Sequence, residues 1–540
     1  MDTRLLQPNT EGIEEAARLL ASGRLVAIPT ETVYGLAANA LDGDAVTSIF
    51  AAKERPADNP LIVHIADERD WAPLVTHIPD NAKKLAEAYW PGPLTIILPA
   101  ADCVPSVVTG GLTTVAVRFP DHPVAQAVIL ASGCPLAAPS ANRSGSPSPT
   151  NAARVAEDMN GRIAAILDGG DCAVGVESTV VDLCHTPPRL LRPGGITPAM
   201  LEEVVGPIEI DPAVTNALLE GAVAASPGMK YKHYAPRAEI HIIKGTPTAY
   251  AAYVNSHAAP GVVALCFEED KDALSVPYVT YGSRADAMTQ ARQLFDALRQ
   301  LDERGAHTVY ATCPTPTGVG LAVYNRLLRA AAFRVINAIR VVGLTGPSGA
   351  GKTTVTEVWK AQGAYIINTD QLARQVVEPG SPCLARLTEV FSDAILLSDG
   401  RLDRAELARR AFATAEGADA LNAITHPAIL ELTKQHLEYA ADNGYEVAVV
   451  DAPLLFEAAF DKLCDAVVAV IAPADLRLTR IMERDGITQE AATRRMAAQQ
   501  PDTYYCREGV AVLRNDTTPD ALREQANALW QQQIRRWSPL

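Results

Sequence analysis

The 540-residue chain has nine cysteines and no CxxC pair. No disulfide framework is expected, and a reducing cytoplasm suits such thiols. No apolar run reaches the roughly 18 residues that a membrane span needs. Residues 1–12 lack a basic region followed by an apolar one, so no secretion signal is expected. Positive charge is short: 47 Lys and Arg against 63 Asp and Glu give a net charge of −16 at pH 7. Non-specific nucleic-acid binding rests on cations that neutralise phosphates. No strong direct nucleic-acid binding is therefore expected, although a local basic cleft stays allowed. Internal repeats and low-complexity tracts are also missing.

What is present is globular. Hydrophobic residues make up 48% and charged residues 20%, which excludes a disordered or fibrous chain. At roughly 150 residues per domain, three or four domains are expected. Residues 1–205 alternate helical patterns (14–21, 45–53, 81–90, from 124) with apolar runs (25–28, 61–65, 94–98, 115–119). That rhythm predicts an α/β fold. Residues 206–238 form a connector containing SPGMKYKHYAPR at 226–237, where aromatics alternate with cations. Such interleaving suits a flat anionic ligand as well as a packed linker. Residues 239–336 read as a small α/β unit, with strands at 239–245, 262–267 and 308–312 and helices at 247–255 and 284–302. It carries no catalytic pattern of its own and is read as binding or structural. The last block, 337–540, starts without a flexible linker. The two blocks either abut or share a helix over 321–338.

Residues 346–353 read GPSGAGKT, the pattern G-x-x-x-x-G-K-[ST]. An apolar strand pattern (341–344) precedes it and a helix pattern (354–362) follows. Gly346, Pro347, Ser348, Gly349, Ala350 and Gly351 would form the loop, whose glycines let the backbone turn its available N–H groups inward around phosphate oxygens. The helix start at Thr353 and Thr354 adds its dipole. Lys352 would reach the β/γ-phosphates, and Thr353 would ligate Mg²⁺.

The motifs downstream keep a fixed order: NTD at 368–370, Arg374, EPGSP at 378–382, DGRLDR at 399–404, LNAITHP at 421–427 and VVDAPLLFE at 449–457. Over about 200 residues this series resembles dephospho-CoA kinase. The family's Asp-Ala-Asp stands here as Asn368-Thr369-Asp370, so the second acid is kept and the first is lost. The resemblance makes Asp370 the general base toward the ribose 3′-hydroxyl of dephospho-CoA. It also makes 480–500 a lid, with Arg484, Arg494 and Arg495 facing the transferring phosphoryl group. Asn515 would stand near the adenine. His426 reads as a structural His-Pro element. The lost acid keeps a different acceptor open.

The first block carries PTETVYGL at 29–36, KERP at 53–56, NPL at 59–61, PGPLT at 91–95, VAVRFP at 115–120, PSANRSG at 139–145, GVESTVVD at 175–182 and LRPGGIT at 191–197. From the residues alone this is a cleft of hydroxyls and cations (Lys53, Arg55, Arg118, Arg192). It suits several anions at once. Glu31 and Glu177 are the nearby acids, and each can be structural.

This constellation resembles the threonylcarbamoyl-AMP synthase family, whose catalytic part is the YrdC-like domain. The linker and a small second domain fit its extended form, so the resemblance covers 1 to about 336. It implies that L-threonine, bicarbonate and ATP become threonylcarbamoyl-AMP and pyrophosphate. The product would feed tRNA t6A37 modification through a separate threonylcarbamoyl transferase. It also implies threonine contacts at Thr32, His64, Arg118, Ala138 and Ser178. ATP contacts would be Arg55, Asn59, Thr114, Ser140, Ser148 and Arg192, with Lys53 at the bicarbonate. Tyr231 or Tyr234 would cover the site as a gate.

The expected fold is α/β throughout. A YrdC-like twisted-sheet domain (1–205) precedes a linker (206–238) and a small Rossmann-like accessory domain (239–336). A P-loop domain with a parallel sheet and helical lid (337–540) follows. The expected function is bifunctional. The rival readings are an RNA-binding, nucleotide-sensing protein or a P-loop kinase with another acceptor.

Overall fold

A computed structural model describes residues 2–56, 59–216 and 234–535. The chain divides into two compact units: Met1–Ile243 with His257–Ile336, and Lys244–Ser256 with Asn337–Leu540. Both are α/β.

The first unit is built on an eleven-stranded mixed sheet. Its strands lie in the order Arg4–Leu6, Ala165–Leu167, Val26–Ile28, Gly35–Asn39, Leu136–Ala137, Ile62–His64, Thr114–Arg118, Leu94–Pro99, Thr179–Asp182, Arg189–Arg192, Glu209–Ile210. The central strands are buried along almost their whole length, which explains their near-continuous apolar runs. Helix Gly43–Lys53 is capped by Asp42, whose Oδ1 accepts from the N–H groups of Asp44 and Ala45 at 3.0 and 3.1 Å. It buries Val46, Ile49 and Phe50. Its end is a left-handed turn at Glu54, φ 54°, which reverses the chain directly after Lys53.

The same unit contains a five-stranded sheet in the order Tyr278–Thr280, Val262–Cys266, Thr308–Thr312, Glu239–Lys244, Val335–Asn337. Helix Ala287–Glu303 packs Leu294, Phe295, Leu298 and Leu301 into its core, and helix Gly320–Ala330 adds Leu327 and Leu328. The core also takes in Val33 and Val176 from the larger sheet's loops. A helix continuing over 321–338 does not form. Ala332 and Phe333 adopt φ 49° and 63°, which stops the helix, and residues Val335–Asn337 continue as a strand.

The second unit has five parallel strands in the order Tyr365–Asn368, Val447–Asp451, Arg340–Thr345, Ala466–Ile471, Val510–Arg514. The first of these in the chain, Arg340–Thr345, lies in the middle. Such a switch point opens a ligand crevice at the carboxyl ends of the strands. Trp359, on helix Lys352–Ala361, is fully buried, and its Nε1 donates to Ala526 O on helix Pro519–Leu529 at 2.9 Å. Helices Pro382–Phe391, Arg404–Ala411 and Ala415–Asp442 carry a core of their own around Leu387, Leu407 and Ile424. Helices Ala474–Asp485 and Gln489–Ala497 form the expected basic pair.

Candidate active sites

The first site lies where strand ends of the larger sheet converge. Arg118 is the last residue of its strand, in register with His64 on one neighbour and Thr95 on the other. Arg192 likewise ends its strand. Lys53 ends a helix, and the left-handed Glu54 then delivers Arg55. The loop 138–145 follows strand Leu136–Ala137. These elements enclose one cavity of about 60 Å³ whose lining includes Thr32, Lys53, Arg55, His64, Arg118, Ala138, Ser140, Ser178, Arg192 and Tyr234.

The polar groups of the wall are mutually bonded. Arg118 pairs with Glu31 at 2.7 Å. Arg192 donates through Nε to Ser178 O and through Nη2 to Ser178 Oγ, both at 3.0 Å. Ser178 Oγ lies 2.7 Å from Thr95 Oγ1. Lys53 Nζ donates to Asn142 O at 2.7 Å and to Ser140 O. Burial, reinforced by the Arg55 charge, pushes the Lys53 pKa well down. Burial lowers Arg192 to about 10, which leaves it cationic at neutral pH. Burial and then the Arg118 charge lower His64 to about 3, so its imidazole is neutral. Burial alone would raise the Glu177 carboxyl, but Arg326 and Arg192 outweigh it and hold the group below the usual range.

Three expected contacts stand back from the lining. Ser148 is buried behind the wall, its Oγ donating to Glu177 Oε1 at 2.5 Å. Thr114 is at the far end of the strand that Arg118 closes, about 13 Å away at 3.3 Å per residue. Asn59 is fully buried, and its side-chain nitrogen and oxygen have no partner among the described residues. Tyr231 lies outside the described residues. Tyr234, at φ 64°, packs against Phe295 in a tilted arrangement, ring centroids 5.1 Å apart and planes at 35°, and lines the cavity.

The second site is a cleft of about 590 Å³ at the carboxyl ends of the parallel strands. Its wall includes Pro347, Ser348, Gly349, Gly351, Lys352 and Thr353. Gly346 has φ 137°, and a Cβ there would strike Val470 O, so the loop's first turn requires glycine. Ala350 is buried under the loop, and Thr354 is half-buried outside the cleft lining. Lys352 Nζ donates to Gly346 O at 2.9 Å. Burial lowers its pKa, against the opposing pull of Asp451 and Asp370.

Asn368 caps helix Thr369–Gln375, its Oδ1 accepting from Gln371 N at 3.0 Å. Asp370 in the first turn faces the cleft, together with Asp451, Arg480, Arg484, Arg495 and Gln499. Burial raises the Asp451 carboxyl, and the Lys352 charge opposes that rise. Arg484 Nη2 donates to Ser348 Oγ at 3.3 Å. Arg494 does not line this cleft: it borders a separate hollow with Thr488 and Glu490. Asn515 is buried rather than open to a base, donating to Ala350 O at 2.8 Å and so bracing the phosphate loop from behind. His426 sits inside helix Ala415–Asp442, outside the cleft lining. Among the described residues, no group of three or more His, Cys, Asp or Glu side chains could hold a metal ion. No helix of the described residues is long and apolar enough to cross a membrane.

Three family models match the chain. The Sua5/YciO/YrdC model, described as telomere recombination, covers 18–194. The threonylcarbamoyl-AMP synthase C-terminal domain covers 196–332, and dephospho-CoA kinase covers 340–520. The threonylcarbamoyl-AMP synthase of Bacillus subtilis is 49% identical over 335 residues, covering 61% of this chain and 96% of that one. The dephospho-CoA kinase of Corynebacterium glutamicum is 43% identical over 188 residues, covering 35% of this chain and 94% of that one. The crystal structure of Pyrococcus abyssi Sua5 complexed with L-threonine matches with a TM-score of 0.57 and 44% identity, over 62% of this chain and 99% of that one. The chain belongs to both families, in tandem.

Several residues of these sites carry no motif-level signal. In the synthase part, Arg326 of the accessory domain reaches Glu177 at 2.9 Å. Arg299 donates to Pro147 O at 2.6 Å, next to Ser148. Both lie in amphipathic helices, where an arginine reads as solvated surface. In the kinase part, Asp451 lies in the VVDAPLLFE stretch at 449–457, which by itself assigns it no role. Its place at the end of the strand beside the phosphate loop is the signal that could have found it. Gln499 Oε1 accepts from Ser348 N at 3.1 Å, a contact that only the lid's position reveals.

Proposed function

We propose that one chain runs two ATP-consuming reactions at these two sites. In the first, the amine of L-threonine takes up bicarbonate with loss of water. The resulting N-carboxylate attacks the α-phosphate of ATP, and pyrophosphate leaves. The observation that carries this reading is the convergence of Lys53, Arg55, Arg118 and Arg192 on one buried cavity lined with hydroxyls. The threonine carboxylate, bicarbonate and ATP repel one another, and the fixed arginine cations offset that repulsion where water is excluded. Arg118 and Ser178 would hold the threonine carboxylate and hydroxyl beside a neutral His64. Arg55, Ser140 and Arg192 would hold the triphosphate, with Lys53 at the bicarbonate. Asn59, with its buried amide unpartnered, suits a nucleotide contact. Ser148 would act through Glu177.

A cavity of about 60 Å³ is far below the ~300–1,000 Å³ of ordinary ligand pockets. Tyr234 would therefore have to withdraw for ATP to enter and return to shield the adenylate. A separate transferase would pass the threonylcarbamoyl group to tRNA.

In the second reaction the 3′-hydroxyl of dephospho-CoA attacks the γ-phosphate of ATP. Asp370 would accept the hydroxyl proton, and Lys352, Arg484 and Arg495 would steady the transferring group. The cleft fits Mg²⁺. Thr353 and Asp451 offer hard oxygen donors, and Asp451 Oδ1 is buried with no partner among the described residues. Thr353 and Asp451 would hold the ion, which when bound neutralises charge between the β- and γ-phosphates.

Isotope-labelled bicarbonate tests the first reaction: label should enter an adenylate only when L-threonine and ATP are both present. Label-free adenylate would defeat the reading. For the second, CoA and ADP should form in equal amounts from dephospho-CoA.

A further inference from the structure

The accessory domain supplies one side chain that does more than join it to the catalytic domain. Arg326, on helix Gly320–Ala330, is fully buried. Its Nε donates to Glu177 Oε2 at 2.9 Å and its Nη2 to Glu177 O at 3.1 Å. Its Nη1 donates to Pro193 O at 2.6 Å and to Asn325 Oδ1 at 3.0 Å. One guanidinium thus ties together two wall segments that are distant in sequence. Glu177 precedes Ser178, and Pro193 follows Arg192. Those two neighbours are themselves bonded, Arg192 Nη2 to Ser178 Oγ at 3.0 Å. The other oxygen of Glu177 accepts from Ser148. Arg326 itself is not part of the cavity lining.

We propose that Arg326 is a positioning residue of the synthase reaction, through which the accessory domain holds Ser178 and Arg192 at the spacing threonine and ATP require. The proposal rests on the synthase reading above. Burying a cation and a carboxylate is costly unless every hydrogen bond is made, so the pair is a poor device for adhesion alone. Adhesion is already provided by the shared core of Val33, Val176, Leu327 and Leu328. The planar fork of Arg bonds two backbone carbonyls and a carboxylate at once, which a lysine ammonium cannot reproduce.

Arg154 provides the comparison. It crosses the same junction, pairing with Asp296 at 2.7 Å and Glu303 at 2.5 Å, but stands away from the cavity lining. The test uses the full-length chain with Arg326→Lys, Arg326→Gln and Arg154→Gln. L-threonine affinity is measured by calorimetry. KM and kcat are measured from threonine-dependent pyrophosphate release; dephospho-CoA phosphorylation on the same preparation reports the second unit's folding, and circular dichroism with thermal unfolding reports that of the first unit, which holds Arg326. Both Arg326 variants should weaken L-threonine binding and raise its KM roughly 10- to 100-fold, with kinase rates unchanged. Arg154→Gln should lower the unfolding temperature and leave that KM alone. Wild-type affinity in Arg326→Lys, or an equal KM rise in Arg154→Gln, would overturn the proposal by making Arg326 ordinary scaffold. Absence of L-threonine binding by the unmodified chain would overturn the synthase reading itself, and this proposal with it.

Discussion

Arg118 Nη2 and Glu31 Oε1 stand 2.7 Å apart, with side chains only 4% and 8% exposed. Glu31 thereby fixes Arg118 at the cavity wall. Removing the carboxylate leaves a buried cation unpaired, which costs about 3–5 kcal/mol. Glu31→Ala should lower the unfolding free energy of the first unit by about that amount in urea titrations. A loss below ~1 kcal/mol, the value of an exposed pair, would contradict the buried geometry.

His64 gives the same unit a pH dependence. Its folded pKa of about 3 lies below the unfolded value of roughly 6.5. The unfolded chain therefore binds the proton first. The stability contributed by a neutral His64 is complete above about pH 6.5 and is lost as pH falls toward 3. Thermal unfolding should move to lower temperature between pH 6.5 and 4, and His64→Gln should flatten that slope. An unchanged slope in the variant would show that other groups set it.

Asn368 replaces an acid that the kinase resemblance leads one to expect. Its Nδ2 lies 3.5 Å from Asp451 Oδ2, and both line the cleft with Asp370. Asn368→Asp would place a carboxylate beside Asp451, whose pKa is already raised by burial, and raise it further by like-charge repulsion. The cap would survive, since Asp caps as well as Asn. The acid limb of the kinase pH–rate profile should move to higher pH, with the unfolding temperature nearly constant. An unmoved limb would mean that Asp451 does not feel position 368.

Asn515 separates two roles by nucleotide choice. Bonded to Ala350 O and fully packed, it supports the loop rather than a base. Asn515→Ala should raise the kinase KM for ATP and for GTP by the same factor. A loss confined to ATP would restore the adenine contact.

Much of both folds is legible in the sequence because buried strands announce themselves as apolar runs. The expected strand at 308–312 is Thr308–Thr312, and the helix expected over 284–302 runs Ala287–Glu303. Short strands such as Gly35–Asn39 and Arg189–Arg192 escaped. Four or five residues with glycine, alanine or arginine carry no alternation, and only their neighbours fix them as strands. The helix suggested over 321–338 failed for a local reason, the left-handed Ala332 and Phe333, which no propensity marks. Motif residues such as Lys53, Arg118 and Lys352 were found because their spacing is set by local turns. Arg326 and Glu177 meet across 149 residues of sequence. Such pairings depend on tertiary packing, so spacing cannot reveal them.

The central claim is that two chemistries reside in one chain at sites that do not share residues. Its most direct test measures both product sets from one preparation of the full-length chain and of Lys352→Ala and Arg118→Ala variants. With L-threonine, bicarbonate and Mg-ATP, the unmodified chain should release pyrophosphate and a threonine-dependent adenylate. With dephospho-CoA and Mg-ATP it should yield CoA and ADP. Lys352→Ala should abolish only the second pair, and Arg118→Ala only the first. Loss of both pairs in either variant, or silence of one arm in the unmodified chain, would contradict the account.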